Sequence, residues 1–506
     1  MTRTTIAVLL QATLVVGCAP TSPHRVEPVH AIEGGIVIEN VTLISPERAT
    51  PLADADVVIE GDRIVAIGTN LVASSRARRI DGRGRFLIPG LIDSHVHIGH
   101  PIVITDDAIE AHPELLVDYR DQLPRSFLYY GYTSVVDLDF RSQHGEWWMN
   151  SPAHPDLFHC GRGVRMAGGY GPILFPPELA YKIFPNVVYE PAHAEAWPTF
   201  LEPADHTPAR AVAKAVEAGA ICIKTYYQSG MDGNPRWPVP SANTLQMLRA
   251  NAGKRGLPFV VHATEVAGYE AALDSGANII AHGVWHWPGD KRDARPTEEI
   301  RVVVKRAAQK GVFVQPTLQV IFGEKDTYTW KLVDDPRLIH VLPPSLIEWA
   351  RSESGRSSQR QLREIYAELN PYPETPAVAL LDALQERVLR VLGLMNEAGV
   401  PLLFGTDTPS SEGIGNPPGL NGRLEMQRWV DAGVPLRKIL EAATLSNARA
   451  FHLETQLGTI EPGKRANLVL LTKNPLETIE AYDAIEMVVV AGKPIPRSAL
   501  SANQTP

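Results

Sequence analysis

Short apolar runs that end in a polar residue recur between helical patterns through the middle of this chain. That alternation restricts the fold more than any other feature. Such runs read as strands buried on both faces, and a helix after each makes βαβ units and a parallel sheet. The predicted strands are Leu87–His95, Ser134–Leu138, Gly163–Ala167, Ala220–Thr225, Pro258–His262, Asn278–His282, Val312–Pro316 and Pro401–Thr406. Helical patterns between them include Pro208–Ala218, Thr244–Arg255, Tyr269–Ser275, Glu298–Lys310 and Pro376–Ala398. Eight strands are what a (β/α)8 barrel needs, so an α/β fold of the TIM-barrel type is expected. A bare barrel takes about 250 residues, which leaves room here for insertions. The largest, residues 322–375, is rich in Trp, Tyr, Arg and Pro and suits a lid or an interface.

The flanks have a different period. Gly35–Leu43, Ala55–Glu60, Arg63–Ile67 and Arg85–Ile88 alternate as short strands, with turn chemistry at Asp62 and Gly82. Ala466–Thr472 and Ala484–Ala491 have the same character and follow the turn-rich Glu461-Pro462-Gly463-Lys464. Both chain ends are therefore expected to pair into one small β-sandwich beside the barrel. At the start, Arg3 precedes the mostly apolar run Ile6–Val16, and Gly17-Cys18 resembles a bacterial lipoprotein processing site. The domain reading is a lipoprotein-type signal peptide over 1–18, a linker over 19–33 and the first part of the sandwich over 34–90. The barrel with its insertions follows over 91–452, and the rest of the sandwich with a tail over 453–506.

Export follows from that reading. The product is either a lipoprotein held through Cys18 on the periplasmic side of a bacterial membrane, or a soluble periplasmic or secreted protein. With Cys18 modified, Cys160 and Cys222 are too few for a disulfide framework, and stability is expected from the core. The formal net charge of -9, with no long Lys/Arg run, lacks the electrostatic footprint of a nucleic-acid binder. The expected partner is a small-molecule substrate, with a membrane met only through the lipid anchor; a homo-oligomer is compatible with the sequence.

His95 and His97 lie at i and i+2, so on a strand both point to one face. Lys224, His262 and His282 end three further predicted strands, and Asp407 follows a fourth. A barrel keeps its active site at those C-terminal strand ends. Imidazole and carboxylate groups gathered there are the ligand set for Zn²⁺ and similar divalent ions, with open positions for water and substrate. Parity places Ala220, Cys222 and Lys224 on one strand face, with the lysine pointing inward. Tyr226, Tyr227, Arg162, Arg165 and the Trp285-His286-Trp287 segment fall near the same end. Of these, Tyr227, Arg165 and His286 are the candidates for holding substrate, an arginine or tyrosine suiting a carboxylate. Trp147-Trp148-Met149 and the aromatic insertion would give an apolar wall, which suggests a substrate with a hydrophobic part, or simply a packed lid.

The stretch Phe86-Leu87-Ile88-Pro89-Gly90-Leu91-Ile92-Asp93-Ser94-His95-Val96-His97, the His262 to His282 block, Gly405-Thr406-Asp407 and the closing Gly458–Leu468 segment together resemble the amidohydrolase superfamily. The likeness is greatest to its branch of imidazolonepropionase-like and prolidase-like proteins. It implies two divalent ions, zinc by preference: His95, His97 and Asp407 on one, His262 and His282 on the other, and a Lys224 carboxylated by carbon dioxide bridging them. An unmodified ammonium between two cations would be strongly unfavourable. It further implies a metal-dependent hydrolase that cleaves a carbon–nitrogen bond of an N-acyl amino acid, dipeptide or cyclic amide by attack of a metal-bridging hydroxide. Asp407 would be both ligand and proton shuttle.

Two alternatives stay open. His262-Ala263-Thr264-Glu265 also suits a one-metal deaminase or ring-opening hydrolase, with Glu265 carrying the proton. A non-catalytic ligand-binding lipoprotein on a hydrolase scaffold is the alternative of another class.

Overall fold

The computed structural model describes residues 35–71, 75–230, 237–410 and 412–503. The expected signal segment, Cys18 and the linker lie outside the described residues. Five strands open the chain: β1 (Ile36–Leu43), β2 (Leu52–Glu60), β3 (Arg63–Gly68), β4 (Arg78–Asp81) and β5 (Phe86–Pro89). The middle holds β6 (Leu91–Val96), β7 (Tyr132–Asp137), β8 (Asp156–His159), β9 (Arg165–Met166), β10 (Val187–Val188), β11 (Ile223–Tyr227), β12 (Phe259–Ala263), β13 (Ile279–Ala281) and β14 (Phe313–Gln315). The last three are β15 (Leu468–Leu471), β16 (Ile485–Val490) and β17 (Lys493–Pro496).

The two chain ends do pair. Their strands run β17-β16-β15-β5-β1-β2-β3, with β4 also on β1, and β15 lies antiparallel to β5. Hydrogen bonding thus makes one continuous sheet from strands that were expected to divide into the two sheets of a sandwich. The sheet has its own core, in which Ile38, Val41, Val57, Leu87, Leu468 and Leu470 meet. On β15 the alternate residues Val469 and Leu471 join the main core instead, so this strand is buried on both faces, as period-two alternation dictates. Asn467 fastens the sheet to the centre: its amide donates to Asp156 and accepts from the Ala491 N–H.

In the centre, β6-β7-β8 and β11-β12-β13-β14 form two parallel sheets. The Ile221 N–H donates to His159 O at 2.8 Å, which sets the start of β11 beside β8. Residues 402–408 lie between β14 and β6: Leu403 N–H donates to Val314 O, Ser94 N–H to Phe404 O, and Asp407 N–H to His95 O. Cys222, Val260, Ile279, Ala281 and Leu403 share an inner cluster with Ile92 and Val136. Ile223, Val261, Ile280 and Val314 turn outward to the helices.

Three expectations need correction. The third central segment starts earlier than expected, at Asp156–His159 beside β7, and the predicted Gly163–Ala167 continues it: Val164 bridges Thr225 of β11 in parallel, its N–H on Lys224 O, and Arg165–Met166 form β9, which pairs with β10. Gly161 has φ +66°, and the half-buried Asp156–His159 run carries too little apolar signal to read as a strand. The run Leu87–His95 is two strands, because Gly90 passes so close to Thr133 that a Cβ would lie 2.0 Å from its hydroxyl. Inward parity in the fourth strand holds for Cys222 and Lys224 but not for Ala220, which packs with the outer cluster ahead of the strand's start at Ile223.

The insertion over 322–375 is helical, with Pro344–Arg351 and Ser357–Leu369 as its α-helices beyond the end of Leu318–Thr329. Cys160, directly after β8, and Cys222, directly before β11, are joined in a disulfide with a Cα–Cα distance of 4.4 Å. One cross-link therefore supplements a core that was expected to act alone.

Candidate metal centre

β6 ends at Val96, and its terminal residues deliver His95 and His97 to one point. Their Nε2 atoms each lie 3.0 Å from the same oxygen, Asp407 Oδ1. Asp407 arrives from the 402–408 segment in the left-handed region, φ +58°, with its N–H on His95 O. His262, on the inner face of β12, and His282, directly after β13, complete the group. Their rings are 4.5 Å apart, and His282 is 4.9 Å from His95. Ligand atoms of His95, His282 and Asp407 all fall within 4.8 Å of one another, close enough for a single ion to bind them. The inner side chain of β11 is Lys224, 1% exposed, whose ammonium nitrogen has no hydrogen-bond partner among the described residues.

Electrostatics favour metal. Burial drives the basicity of His262 and His282 well below the usual imidazole range, and His95 down to about 3. Neutral imidazole is the form that ligates. Burial works most strongly against charge on His97, but its hydrogen bond to Asp407 together with the charges of Asp407, Asp137 and Asp139 outweighs that and raises it. Asp407 is held well below the usual carboxylate range: burial opposes its charge, and His95 and His97 overcome it. For Lys224, burial lowers the ammonium to about 7. Buried nitrogens on His95, His97 and Lys224 that make no hydrogen bond among the described residues, beside one carboxylate and two more imidazoles, form a donor set that fits divalent cations.

A second layer, not identified from the sequence, orients these groups. Gln228 Oε1 lies 3.0 Å from His262 Nε2 and accepts from the Thr264 hydroxyl. Thr317 Oγ1 is 2.8 Å from His282 Nδ1. Asp93 accepts from the His95 and Thr406 N–H groups and the Thr406 hydroxyl, clamping the two segments that present His95 and Asp407. His282 and Thr317 share with Asp407 a positive φ that non-glycine residues seldom adopt, strain of the kind that gathers at functional sites.

The suggested substrate contacts divide. Arg165 is 7% exposed and already engaged: it pairs with Asp139 at 2.9 Å and lies 3.6 Å over the Tyr226 ring. Arg162 shares the same aspartate. Tyr226, not Tyr227, is on the face of Lys224, and its ring is 5.4 Å from that of His262. Tyr227 turns outward and packs beside Gly268 and the helices. His286 is half-buried, its N–H on Thr264 O and its ring edge-on to Trp285. Tyr170, from the loop after β9, stacks on His262 at 4.9 Å, and Trp285 lies 4.6 Å from His282. Within Trp147-Trp148-Met149, Trp148 is buried against Phe127 with its N–H on Pro155 O, whereas Met149 is exposed. Glu265 accepts the Ser229 N–H at 3.0 Å.

The chain is 36% identical to a deacetylase of Agrobacterium fabrum over 70 residues, 14% of this chain and 17% of that protein. It is 47% identical to an imidazolonepropionase of Streptomyces avermitilis over 53 residues, 10% of this chain and 13% of that one. The matched stretches thus span a small part of these curated relatives. The fold is shared at full length with a Xaa-Pro dipeptidase crystallised with methionine in its active site: TM-score 0.61, 20% identity, 91% of this chain and 100% of that one covered. The sequence pattern of the Amidohydrolase family matches residues 86–495, from the strand before His95 to the last strand of the end sheet, and the chain belongs to that family.

Proposed function

We propose that this protein is an exported, zinc-dependent hydrolase of carbon–nitrogen bonds, acting on an N-acyl amino acid, a dipeptide or a cyclic amide. The observation that carries this reading is the convergence of four histidines and Asp407 with a buried Lys224 whose nitrogen has no hydrogen-bond partner among the described residues. We take the ring of eight parallel segments to be a closed (β/α)8 barrel with this site at its C-terminal mouth.

In the proposed site His95, His97 and Asp407 would hold one ion and His262 and His282 the second, with Lys224, as a carbamate, the residue that would serve both. Bound divalent ions supply a water acidic enough to attack at neutral pH and positive charge for the carbonyl oxygen. With its ammonium lowered to about 7, Lys224 presents neutral amine near neutral pH, the form whose lone pair adds to the carbon of CO₂ while one N–H proton leaves to solvent. Asp407, held ionised beside His95 and His97, takes the proton of the attacking water and returns it to the departing amine nitrogen. Tyr170, Tyr226 and Trp285 supply apolar walls, which favours a substrate with an aromatic or aliphatic part.

Glu265 bears on the one-metal alternative. Its carboxylate is engaged by the Ser229 N–H and adjoins the outward-facing Tyr227, which supports a structural part for it. Export rests on the N-terminal segment and is supported by the Cys160–Cys222 disulfide, a bond that persists in oxidising compartments.

The test is hydrolysis by protein stripped of metal and by protein reloaded with zinc and bicarbonate, on a panel of N-acyl amino acids, dipeptides, lactams, esters and aminated heterocycles. Release of an amine from an amide, lost on stripping and restored by zinc, is the expected result. Ammonia release from a heterocycle alone would favour the deaminase, and binding without turnover of any compound the non-catalytic alternative.

A further inference from the structure

Thr317 stands at the N-cap of the helix Leu318–Thr329, where a threonine hydroxyl ordinarily accepts an N–H from the first turn. Here it makes no such bond, and the hydroxyl is directed to His282 Nδ1. The capping is done by another residue. Glu425, fully buried on the helix Leu420–Asp431, accepts the Leu318 N–H on one carboxylate oxygen at 3.0 Å and the Gln319 N–H on the other at 2.6 Å. The Trp429 indole N–H holds that carboxylate in turn, at 2.8 Å.

Thr317 is also β-branched in the left-handed region, φ +48° and ψ +51°, a conformation that must be imposed by its surroundings. The two N–H groups gripped by Glu425 are those of the next two residues. From these contacts we infer that Glu425 is a positioning residue for the metal centre: it caps the helix in place of Thr317, holds Thr317 in its strained conformation, and so frees the hydroxyl to fix the His282 ring. With Nδ1–H donated to Thr317 Oγ1, the Nε2 lone pair of His282 is left for metal, as outer-layer partners of ligating histidines do.

The inference rests on His282 being a ligand, and the experiment separates the two. Zinc dissociation constants are measured by chelator competition for wild type, H282A, T317V, T317S, E425Q and the T317V/E425Q double variant. Unfolding midpoints and the ¹⁵N imidazole shifts of the metal-free proteins are recorded alongside. The expected result is weaker zinc binding by about 10-fold to 100-fold in T317V and in E425Q, no further loss in the double variant, recovery in T317S, and a His282 tautomer shifted away from Nδ1–H in both single variants. If H282A itself leaves zinc affinity unchanged, the metal reading fails. If H282A weakens zinc while E425Q lowers only the unfolding midpoint, or if the T317V and E425Q effects add, the positioning role is overturned. Should E425Q fail to fold, T317V with wild-type zinc affinity and tautomer would overturn it equally.

Discussion

The two halves of the candidate centre are held by different means. His95 and His97 come from one strand end and share one oxygen of Asp407, so that half is tied together by its own ligands. His262 and His282 come from separate strands, and each is oriented by a side chain outside the ligand set, Gln228 in one case and Thr317 in the other. The histidine pair of the first half can be written into a short motif, because two alternate residues of a strand face the same way, while Asp407 is brought to it by the fold and held there through Asp93. The second depends on residues brought in from elsewhere in the chain, and its geometry is open to adjustment without touching a ligand. Lys224, on β11, adds a buried nitrogen that no hydrogen bond among the described residues satisfies.

The largest expected effect comes from breaking the first half. Asp407→Asn removes the carboxylate that both histidines share and the proposed proton carrier, and kcat should fall by about 10²-fold to 10⁴-fold; near-normal turnover would contradict both roles. Uncoupling the halves should come next. Lys224→Ala is expected to lower metal content from about two ions per chain to about one, with activity falling in step. Short carboxylic acids added to the buffer should partly restore it, and unchanged metal content would remove the bridge.

Loosening only the second half is a milder change. Gln228→Leu should weaken one metal-binding step by about 10-fold to 100-fold and leave the other alone, as read by stepwise chelator titration. If both steps weaken equally, the halves are not independent. The smallest effect is expected at Glu265. Glu265→Gln should keep turnover within a few-fold of wild type and lower stability by about 1 kcal/mol, the worth of a hydrogen bond, seen as a shifted urea midpoint. A loss as deep as that of Asp407→Asn would restore the one-metal deaminase.

The same contrast decides what could be read from the residues alone. Lys224, His262 and His282 were legible because each closes an apolar run, and a strand end in a parallel α/β fold has a known place. The pairing of both chain ends was legible through period-two alternation. Gln228, Thr317 and Glu425 were not, since a polar residue in a loop or on a helix shows nothing of a partner 34, 35 or 107 positions away. Arg165 was read as free to bind substrate, and only the fold brings Asp139 to it, 26 residues distant. Tyr227 and Tyr226 differ by one position, and a strand beginning at Ile223 settles which of them faces Lys224. The start of the third segment was not legible because Asp156–His159 is short and half-buried, while the more apolar Gly163–Ala167, which bridges β11, lies beyond it.

The central claim is that two ions sit between these halves, bridged through Lys224. Its most direct test is the metal-to-protein ratio of the purified chain, measured by elemental mass spectrometry after growth and purification with zinc and bicarbonate. The account expects about two zinc ions per chain in wild type; a ratio near one that Lys224→Ala leaves unchanged would contradict it.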